Sequence, residues 1–501
     1  MRKQTISTIL LLCTLGHGMA KISQIHLSFG SSVDEMKVTW STSDDVKCDV
    51  DYWATDGEHM RVEARQSELL TDSWKAMRYI HMAEMLDLLP QESYTYKVIC
   101  TNETSEEWIF TTQPNIHNRH VKFLVYGDMG YHHGQKTIEV LKEEMTLHNY
   151  DAICHVGDLA YDMETDGGLI GDTFMELIQP IAAHVPYMTS PGNHELTNSL
   201  HHYRTRFSMP GVDWPMPLDR LWYSFNVGPV HFISFSTEVY FIDNADYVCT
   251  QFRWLLDDLT KANQNRDKRP WIIAMGHRPM YCSNHDVDDC TGRIFGHLVK
   301  HGLEDLFYAQ GVDLILQAHE HSYERLWPVY QDRVAAKNYN QPQAPVHIIS
   351  GAAGSGEGAD PMGRRGPWSA FASAEGSLNS FGRLHVLNYS HLYFEQVKVK
   401  DGRPLDSVWI VQSHHGPNVP NLNCNGGHPH HSCKCPLPFH YLTVIIVSSV
   451  ALFILVSTFI CCCCVWRKKH KKNLCCKCCY RNPHRYHVRL LNIDDDDDFA
   501  I

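Results

Sequence analysis

The first part of the chain alternates apolar and polar residues in short runs. Residues 24–29 and 36–40 alternate on either side of a Gly-Ser turn, and residues 93–100 and 107–111 do the same. A period of two is typical of strands that bury one face. Short strands separated by turns indicate an immunoglobulin- or fibronectin-type β-sandwich over residues 21–113. The segment has no catalytic spacing, which favours a structural or interaction module.

The pattern changes after a polar linker that contains Pro114. From residue 121 onward, short apolar runs that predict strands alternate with runs of helical period. The predicted strands are 121–126, 152–156, 187–190, 230–235, 271–275, 312–317, 346–350 and 384–388, and the predicted helices are 138–145, 174–181, 251–262 and 302–309. This order indicates an α/β domain with some parallel strands at residues 119–412. In such sheets, ligands bind outside the carboxyl ends of the strands.

Two further apolar segments lie near the ends of the chain. Residues 1–20 combine a basic start, an apolar centre and a small-residue end, which indicates a signal peptide rather than a cytosolic amphipathic helix. Residues 441–466 are almost uninterrupted apolar sequence, which indicates a transmembrane helix rather than a buried core helix. Basic residues follow from Arg467, so residues 467–501 are predicted to be a cytoplasmic tail. The stretch 413–440, rich in Pro, Asn, Gly and His, is then a stalk.

These segments predict a single-pass type I membrane protein of the secretory pathway. Its catalytic domain would be extracellular or luminal, at the plasma membrane or in endosomes or lysosomes. The oxidising compartment permits disulfides, and sequons permit N-glycans. The predicted disulfides are Cys48–Cys100 and Cys282–Cys290, and the predicted N-glycans are at Asn102 and Asn388. The formal net charge of −13 over 501 residues argues against nucleic acid as a partner.

Polar side chains follow several of the predicted strands. They are Asp128; Asp158 with Tyr161; Asn193 with His194; His277; and His319 with His321. Each is weak evidence alone, because a Gly-Asp pair is usually a turn and a lone histidine usually belongs to the core. Together they form an oxygen and imidazole set without thiolate, which favours Fe, Mn or Zn. A carboxylate such as Asp158 bridges the ions of two-metal hydrolases, and a tyrosinate suits Fe(III).

The same residues form a series of five motifs. The motifs are Gly-Asp-x-Gly at 127–130, Gly-Asp-x-x-Tyr at 157–161, Gly-Asn-His-Glu at 192–195, a histidine after the fourth strand at His277, and His-x-His at 319–321. In these motifs the chain resembles the purple acid phosphatases, and in particular the animal members of their larger, plant-like type. The segment 24–30, followed by Val38-Thr39-Trp40, resembles the fibronectin-like domain of that branch. The resemblance covers roughly residues 22–411.

The resemblance implies an acid phosphatase that hydrolyses small phosphate monoesters with a metal-bound hydroxide as nucleophile. It implies Asp128, Asp158, Tyr161 and His321 as ligands of Fe(III), and Asp158, Asn193, His277 and His319 as ligands of a divalent Fe, Zn or Mn ion. His194 would contact the phosphate or assist proton transfer, and His285 is a further outer histidine candidate. The glycine-rich stretch 351–358 lacks a Lys-Ser/Thr ending and is interpreted as a surface loop rather than a phosphate cradle.

Two other hypotheses remain open at this point. The first is a membrane-anchored metallophosphodiesterase or nucleotide pyrophosphatase on the same scaffold. Those enzymes lack the tyrosine that follows the bridging aspartate, so Tyr161 argues against it. The second is a catalytically weak surface receptor. A dead enzyme usually loses metal ligands, and here the full set is present.

Overall fold

The computed structural model describes residues 21–70, 76–242, 244–284, 296–374 and 379–419. All of them belong to one compact unit, Met1–Pro438. The predicted signal peptide, the membrane span at 441–466 and the tail lie outside the described residues, as do most of the stalk, His285 and Cys290. Among the residues that are described, no helix is long and apolar enough to cross a membrane.

The N-terminal domain consists of two antiparallel sheets. Its strands are β1 (Ile22–Phe29), β2 (Met36–Thr42), β3 (Cys48–Ala54), β4 (Met60–Glu63), β5 (Arg65–Leu70), β6 (Ala76–Met85), β7 (Ser93–Cys100), β8 (Glu103–Thr104) and β9 (Trp108–Thr111). The strand orders are β1-β2-β6-β5 and β4-β3-β7-β8, with β9 also paired to β7. β7 buries every second residue, as the alternation predicts.

The Cys48–Cys100 disulfide confirms one of the two predicted pairings. It links β3 to β7, whose registers place the two cysteines opposite each other. Cys249 and Cys282 are disulfide-bonded as well. The predicted partner of Cys282, Cys290, lies outside the described residues.

The second domain contains all the described helices and the remaining strands. Its elements are β10 (Val121–Tyr126), β11 (Met129–Gly130), α1 (Gln135–Leu147), β12 (Ala152–Val156), β13 (Leu159–Ala160), α2 (Leu169–Ala182), β14 (Tyr187–Ser190), α3 (Thr197–Arg206), β15 (Tyr223–Val227), β16 (Val230–Ser234), α4 (Ala245–Asn263), β17 (Trp271–Met275), α5 (Gly296–Ala309), β18 (Leu314–Gln317), β19 (Tyr323–Leu326), β20 (Val329–Tyr330), β21 (Arg333–Val334), β22 (Val346–Ser350), β23 (Ser369–Ser373), β24 (Ser380–Val386), β25 (His391–Lys398) and β26 (Pro404–Val411).

Two mixed sheets organise this domain. The first has the order β14-β12-β10-β24-β25-β26, in which β14, β12 and β10 are parallel. The second has the order β15-β16-β17-β18-β22-β19-β23, in which β16, β17, β18 and β22 are parallel. The central parallel strands bury every residue, which explains why they appear in the sequence as continuous apolar runs. The predicted α/β domain with some parallel pairing is therefore confirmed.

Some elements differ from the prediction. The helices extend beyond the predicted limits, and the strand expected at 384–388 is β24, which ends at Val386 before a turn at Asn388. α3 was not predicted, because its sequence has no apolar face and several of its first residues have left-handed φ angles.

A buried ionic cluster joins the two domains. Asp172 of α2 accepts hydrogen bonds from Arg206 Nη2 at 3.0 Å, Arg78 Nε at 2.7 Å and Gln24 Nε2 at 2.9 Å. Burial alone would raise the pKa of Asp172, but Arg206 and Arg78 together hold it below the usual value. The carboxylate therefore stays ionised at acid pH.

We expect Asp172→Asn to lower the free energy of unfolding by about 3–5 kcal/mol, because it leaves a buried arginine charge unpaired. The deficit should be fully present above the usual aspartate pKa of 3.8 and should shrink as the pH falls below it, since the folded-state pKa is depressed. Denaturant unfolding at several pH values measures both effects. The exposed Asp267→Asn is the control, and equal stability of the two variants at pH 7 would contradict the expectation.

Candidate metal centre

The predicted site residues follow the carboxyl ends of strands in both sheets. Asp128 follows β10, Asp158 follows β12, and Asn193 with His194 follows β14, which are neighbours in the first sheet. In the second sheet His277 follows β17, and His319 with His321 follows β18. Side chains at the strand ends of both sheets come together, so residues far apart in sequence meet in one buried site.

Two groups of candidate ligand atoms lie at this meeting point. Asp158, His277 and His319 form one group, and Asp128, Asp158 and His321 form the other. Within each group the ligand atoms all lie within 4.8 Å of one another. Asp158 belongs to both groups, so a single carboxylate lies where a bridge between two ions would be needed.

The two remaining predicted ligands lie at the margins of these groups. The Tyr161 hydroxyl is 2.7 Å from His321 Nε2, and Asn193 Oδ1 is 3.1 Å from His277 Nε2. The site thus brings together every metal ligand that the motifs suggested. His194 lies beside it, with Nε2 3.9 Å from Asp158 Oδ2.

The backbone is strained at the strand ends that carry ligands. Asp128, Asp158 and His319 have φ angles of 59°, 54° and 70°, in the left-handed region. Each such residue costs on the order of 1–3 kcal/mol, and such strain clusters at functional sites. Close packing adds a further constraint: a Cβ on Gly192 would come within 2.2 Å of Asp158 Oδ1. Any side chain at position 192 would therefore displace the shared carboxylate.

Hydrogen bonds to backbone groups fix the orientation of the ligand side chains. His277 Nδ1 donates to the Val156 carbonyl at 2.9 Å, so Nε2 is the ring nitrogen that remains for a metal ion. Asp128 Oδ2 accepts from the His319 backbone N–H at 2.9 Å. Asp128 Oδ1 is buried and accepts no hydrogen bond from the described residues. A buried carboxylate oxygen without a donor is an expected feature of a metal ligand.

The pKa shifts of His319 and Tyr161 agree with this interpretation. Burial alone would lower the pKa values of His277 and His321, but Asp158 and Asp128, whose charge a metal ion would otherwise balance, raise them to about 10 and about 9. Burial and the neighbouring Arg278 lower the pKa of His319 well below 6.5, so its imidazole is neutral, the form that binds metals. Burial and the carboxylates of Asp128 and Asp158 raise the pKa of Tyr161 well above 10, so this phenol ionises only beside a strong positive charge. The donor set therefore fits a two-metal centre.

Glu195 has a structural role that the sequence did not reveal. Its buried carboxylate accepts hydrogen bonds from the backbone N–H groups of Asp158 at 3.0 Å, Leu159 at 2.9 Å and Gly192 at 2.7 Å. It thus ties the loop after β12 to the loop after β14. The motif at 192–195 includes Glu195 and could have marked it as a functional residue. The motif alone does not show which groups donate hydrogen bonds to Glu195.

The glycine-rich stretch 351–358 is more than a surface loop, because it forms one wall of the site. Ser355 Oγ lies 3.1 Å from His321 Nδ1, and Glu357 Oε1 lies 3.6 Å from His194 Nε2. The position of this stretch after β22 could have indicated this role. β22 runs parallel to β18, so it ends at the same sheet edge as the strand that His319 and His321 follow. A phosphate cradle of the Lys-Ser/Thr type is still not expected here.

Asp162, the residue after Tyr161, orients His194. Its Oδ1 is 2.9 Å from His194 Nδ1. We expect Asp162→Asn to lower kcat/KM about 10- to 100-fold, since supporting partners of site histidines have effects of that size. The metal content should be unchanged, and Asp162→Glu should recover part of the activity. Steady-state kinetics with metal analysis measures these changes, and full activity in Asp162→Asn would contradict the role.

Comparison with known proteins identifies the family. Residues 22–112 match the model of the purple acid phosphatase N-terminal domain, residues 121–323 match calcineurin-like phosphoesterase, and residues 344–407 match the iron/zinc purple acid phosphatase-like protein C. The chain is 42% identical over 417 residues to Acid phosphatase type 7 of Homo sapiens, covering 80% of this chain and 93% of the human protein. The chain belongs to the purple acid phosphatase family.

Other relatives of this purple acid phosphatase extend the comparison. It is 43% identical to Acid phosphatase type 7 of Danio rerio, covering 79% of this chain and 92% of that protein. It is 29% identical to Probable purple acid phosphatase 20 of Arabidopsis thaliana, covering 77% of this chain and 87% of that protein. The solved structure of purple acid phosphatase PPD1 from Lupinus luteus has the same fold, with a TM-score of 0.65 at 24% identity over 78% of this chain and 75% of that chain.

Proposed function

We propose that this purple acid phosphatase hydrolyses phosphate monoesters at a dinuclear metal centre. The observation that carries the proposal is the position of Asp158, whose carboxylate is common to both groups of candidate ligands. A pair of ions held by one bridging carboxylate is the arrangement of two-metal phosphoester hydrolases. The match to the purple acid phosphatase models over both domains supports the same reaction.

The ligands divide between two ions. Asp128, Asp158, Tyr161 and His321 would hold Fe(III), and Asp158, Asn193, His277 and His319 would hold a divalent Fe, Zn or Mn ion. When bound, such ions polarise the phosphoryl oxygens and supply an activated water as nucleophile. The hard oxygen donors around Tyr161 favour Fe(III) there, and the imidazoles around Asn193 favour the divalent ion.

His194 would orient the substrate phosphate. Asp162 holds its Nδ1, and its Nε2 faces the shared carboxylate and Glu357 at the open side of the site. Burial alone would lower the pKa of His194, but Asp158 and Asp162 outweigh it and raise the pKa. A protonated His194 can donate to a phosphoryl oxygen or to the leaving oxygen at acid pH.

The test uses the purified full-length chain with para-nitrophenyl phosphate at pH 5. We expect turnover that a chelator abolishes and that added metal restores. Bis-para-nitrophenyl phosphate is the comparison substrate. Faster hydrolysis of the diester would favour the phosphodiesterase hypothesis, and no hydrolysis of either substrate with metal bound would favour a receptor.

The identity of the ferric ligand has a spectroscopic test. We expect the purified protein to show a visible charge-transfer band from a Tyr161 phenolate bound to Fe(III). Tyr161→Phe should remove the band, and Tyr131→Phe, which changes the tyrosine directly after the motif at 127–130, should keep it. A band that persists in Tyr161→Phe would mean that another residue is the phenolate ligand.

We further propose the finer organisation of the chain. A signal peptide at 1–20 precedes a fibronectin type III-like domain at 21–113 and the catalytic domain at 119–412, followed by the stalk at 413–440, one transmembrane helix at 441–466 and the tail at 467–501. This organisation places the catalytic domain in the secretory pathway, with N-glycans at Asn102 and Asn388. Asn102 is exposed in the turn between β7 and β8, which supports its modification. Membrane extraction and enzymatic deglycosylation test the anchor and the glycans.

A further inference from the structure

A second cavity lies away from the metal centre, beside the last strand of the first sheet. It measures about 530 Å³ and shares no lining residue with the metal site. Trp327, Tyr339 and Trp409 supply its aromatic walls, and Lys337 and Asn340 lie at its rim. We call it the aromatic groove.

Aromatic surface in this groove is unusually open to solvent. Trp409 is 49% exposed, although tryptophan is normally among the most buried side chains. It packs against Tyr393, the residue opposite it on β25, with ring centroids 4.9 Å apart. Trp327 and Tyr339 stack with centroids 5.0 Å apart and an interplanar angle of 24°. The groove therefore offers flat, preformed aromatic faces.

Hydrogen-bonding groups in the groove are free to bind a ligand. Within the described part of the chain, the indole N–H groups of Trp327 and Trp409 and the side-chain amide of Asn340 have no partner. A pocket with aromatic walls and a few free polar groups is the usual form of a small-ligand site. The indole and amide groups would donate to hydroxyl groups of a ligand.

Of the two charged side chains that line the groove, Arg325 is neutralised by an ion pair and Lys337 lies at the exposed rim. Arg325 is held by Asp406 in a bidentate pair, at 2.7 Å from Nε and 3.0 Å from Nη2. The guanidinium is therefore not available for a phosphate or carboxylate ligand. The aromatic faces and the N–H donors, with the Lys337 ammonium among them, favour a polyhydroxylated ligand with an apolar face.

We propose that the aromatic groove binds a pyranose unit of a glycan. A pyranose ring has a face of C–H groups that packs on an aromatic ring and a rim of hydroxyl groups that accept and donate hydrogen bonds. One source of such a ring is close in the structure. The sequon at Asn388 directly precedes β25, the strand that carries Tyr393 beneath Trp409. The other source is a glycan from outside the chain.

The test is saturation-transfer NMR on the purified full-length chain in a detergent without a sugar headgroup. The probes are N,N′-diacetylchitobiose and methyl α-mannopyranoside. We expect transfer to the ring C–H protons of at least one probe, in the wild type or in Ser390→Ala, which lacks the sequon at Asn388. Adding Trp409→Ala should weaken that binding about tenfold, because the exposed ring supplies the stacking face. Trp53→Ala, which removes a partly exposed tryptophan of the N-terminal domain, is the matched control and should bind normally.

The variant Ser390→Ala separates the two sources, because it removes the sequon and keeps the Asn388 side chain that caps the turn. If the glycan on Asn388 occupies the groove, the probes bind only to Ser390→Ala. If the groove takes an external glycan, they bind to both proteins. Phosphatase activity should be unchanged in Trp409→Ala, which verifies its folding.

Three results would overturn the proposal. One is the absence of transfer to either probe in both the glycosylated protein and Ser390→Ala. A second is binding to the wild type or to Ser390→Ala that the additional Trp409→Ala substitution leaves unchanged. A proline-rich peptide that binds in a Trp409-dependent way while the sugars do not would likewise assign the groove to a different ligand class.

Discussion

Asp158→Asn is expected to abolish phosphatase turnover, with a loss of about 10³-fold or more, because the ions contribute several kcal/mol of charge stabilisation. The carboxylate of Asp158 belongs to both groups of ligand atoms. Asparagine retains one oxygen, but its amide carries no charge. Its N–H groups would also donate to neighbouring carboxylate and imidazole atoms, whose lone pairs are needed to bind the ions. One substitution therefore weakens both ion sites. Initial rates with para-nitrophenyl phosphate and elemental analysis of the same preparation measure the two effects.

Asp162→Asn is the matched control for this change. It makes the same chemical substitution in the same loop, but Asp162 is not a predicted metal ligand. It should retain both ions and lose only part of the activity. The unfolding transition of Asp158→Asn shows whether the variant folds. We expect it to fold, because the backbone N–H of residue 158 still donates to the Glu195 carboxylate. Turnover close to wild type in a folded Asp158→Asn protein would contradict the dinuclear mechanism.

Glu195→Ala is expected to lower the free energy of unfolding by at least about 3 kcal/mol, because each buried donor that loses its acceptor costs on the order of 1–3 kcal/mol. Three such donors belong to Asp158, Leu159 and Gly192. Their release frees the strained loop that presents the shared carboxylate. We therefore expect loss of metal together with loss of stability, measured by denaturant unfolding and elemental analysis.

Glu195→Gln should reduce stability less than Glu195→Ala does. It keeps one acceptor oxygen and replaces the other by an amide that cannot accept, so its stability should lie between wild type and Glu195→Ala. Glu176→Ala is the control, because Glu176 makes an exposed ion pair with Lys21 that contributes little. Unchanged unfolding and metal content in Glu195→Ala would mean that the loops hold each other without this carboxylate.

Much of the fold could be predicted because the deciding signals are local. The runs at 152–156 and 271–275 coincide with β12 and β17, since buried parallel strands need continuous apolar sequence. The polar residues after them were recognisable as candidate ligands because such strands end at one edge of a sheet. α3 was not predictable in this way, because its ordering depends on contacts with β5 and the loop before it rather than on its own apolar face.

The sequence by itself determined the family, the candidate ligands and their order along the chain, because these depend on residue identity at strand ends. Only the tertiary structure decided which atoms meet. The Tyr161 hydroxyl reaches His321 across 160 residues, and Glu195 ties two loops together through backbone N–H groups that no side-chain pattern shows. The pairing of Asp162 with His194 and the glycine-rich wall arise in the same way, because strand ends of both sheets meet at one site. Such contacts depend on three-dimensional distance, and residue periodicity carries no information about it.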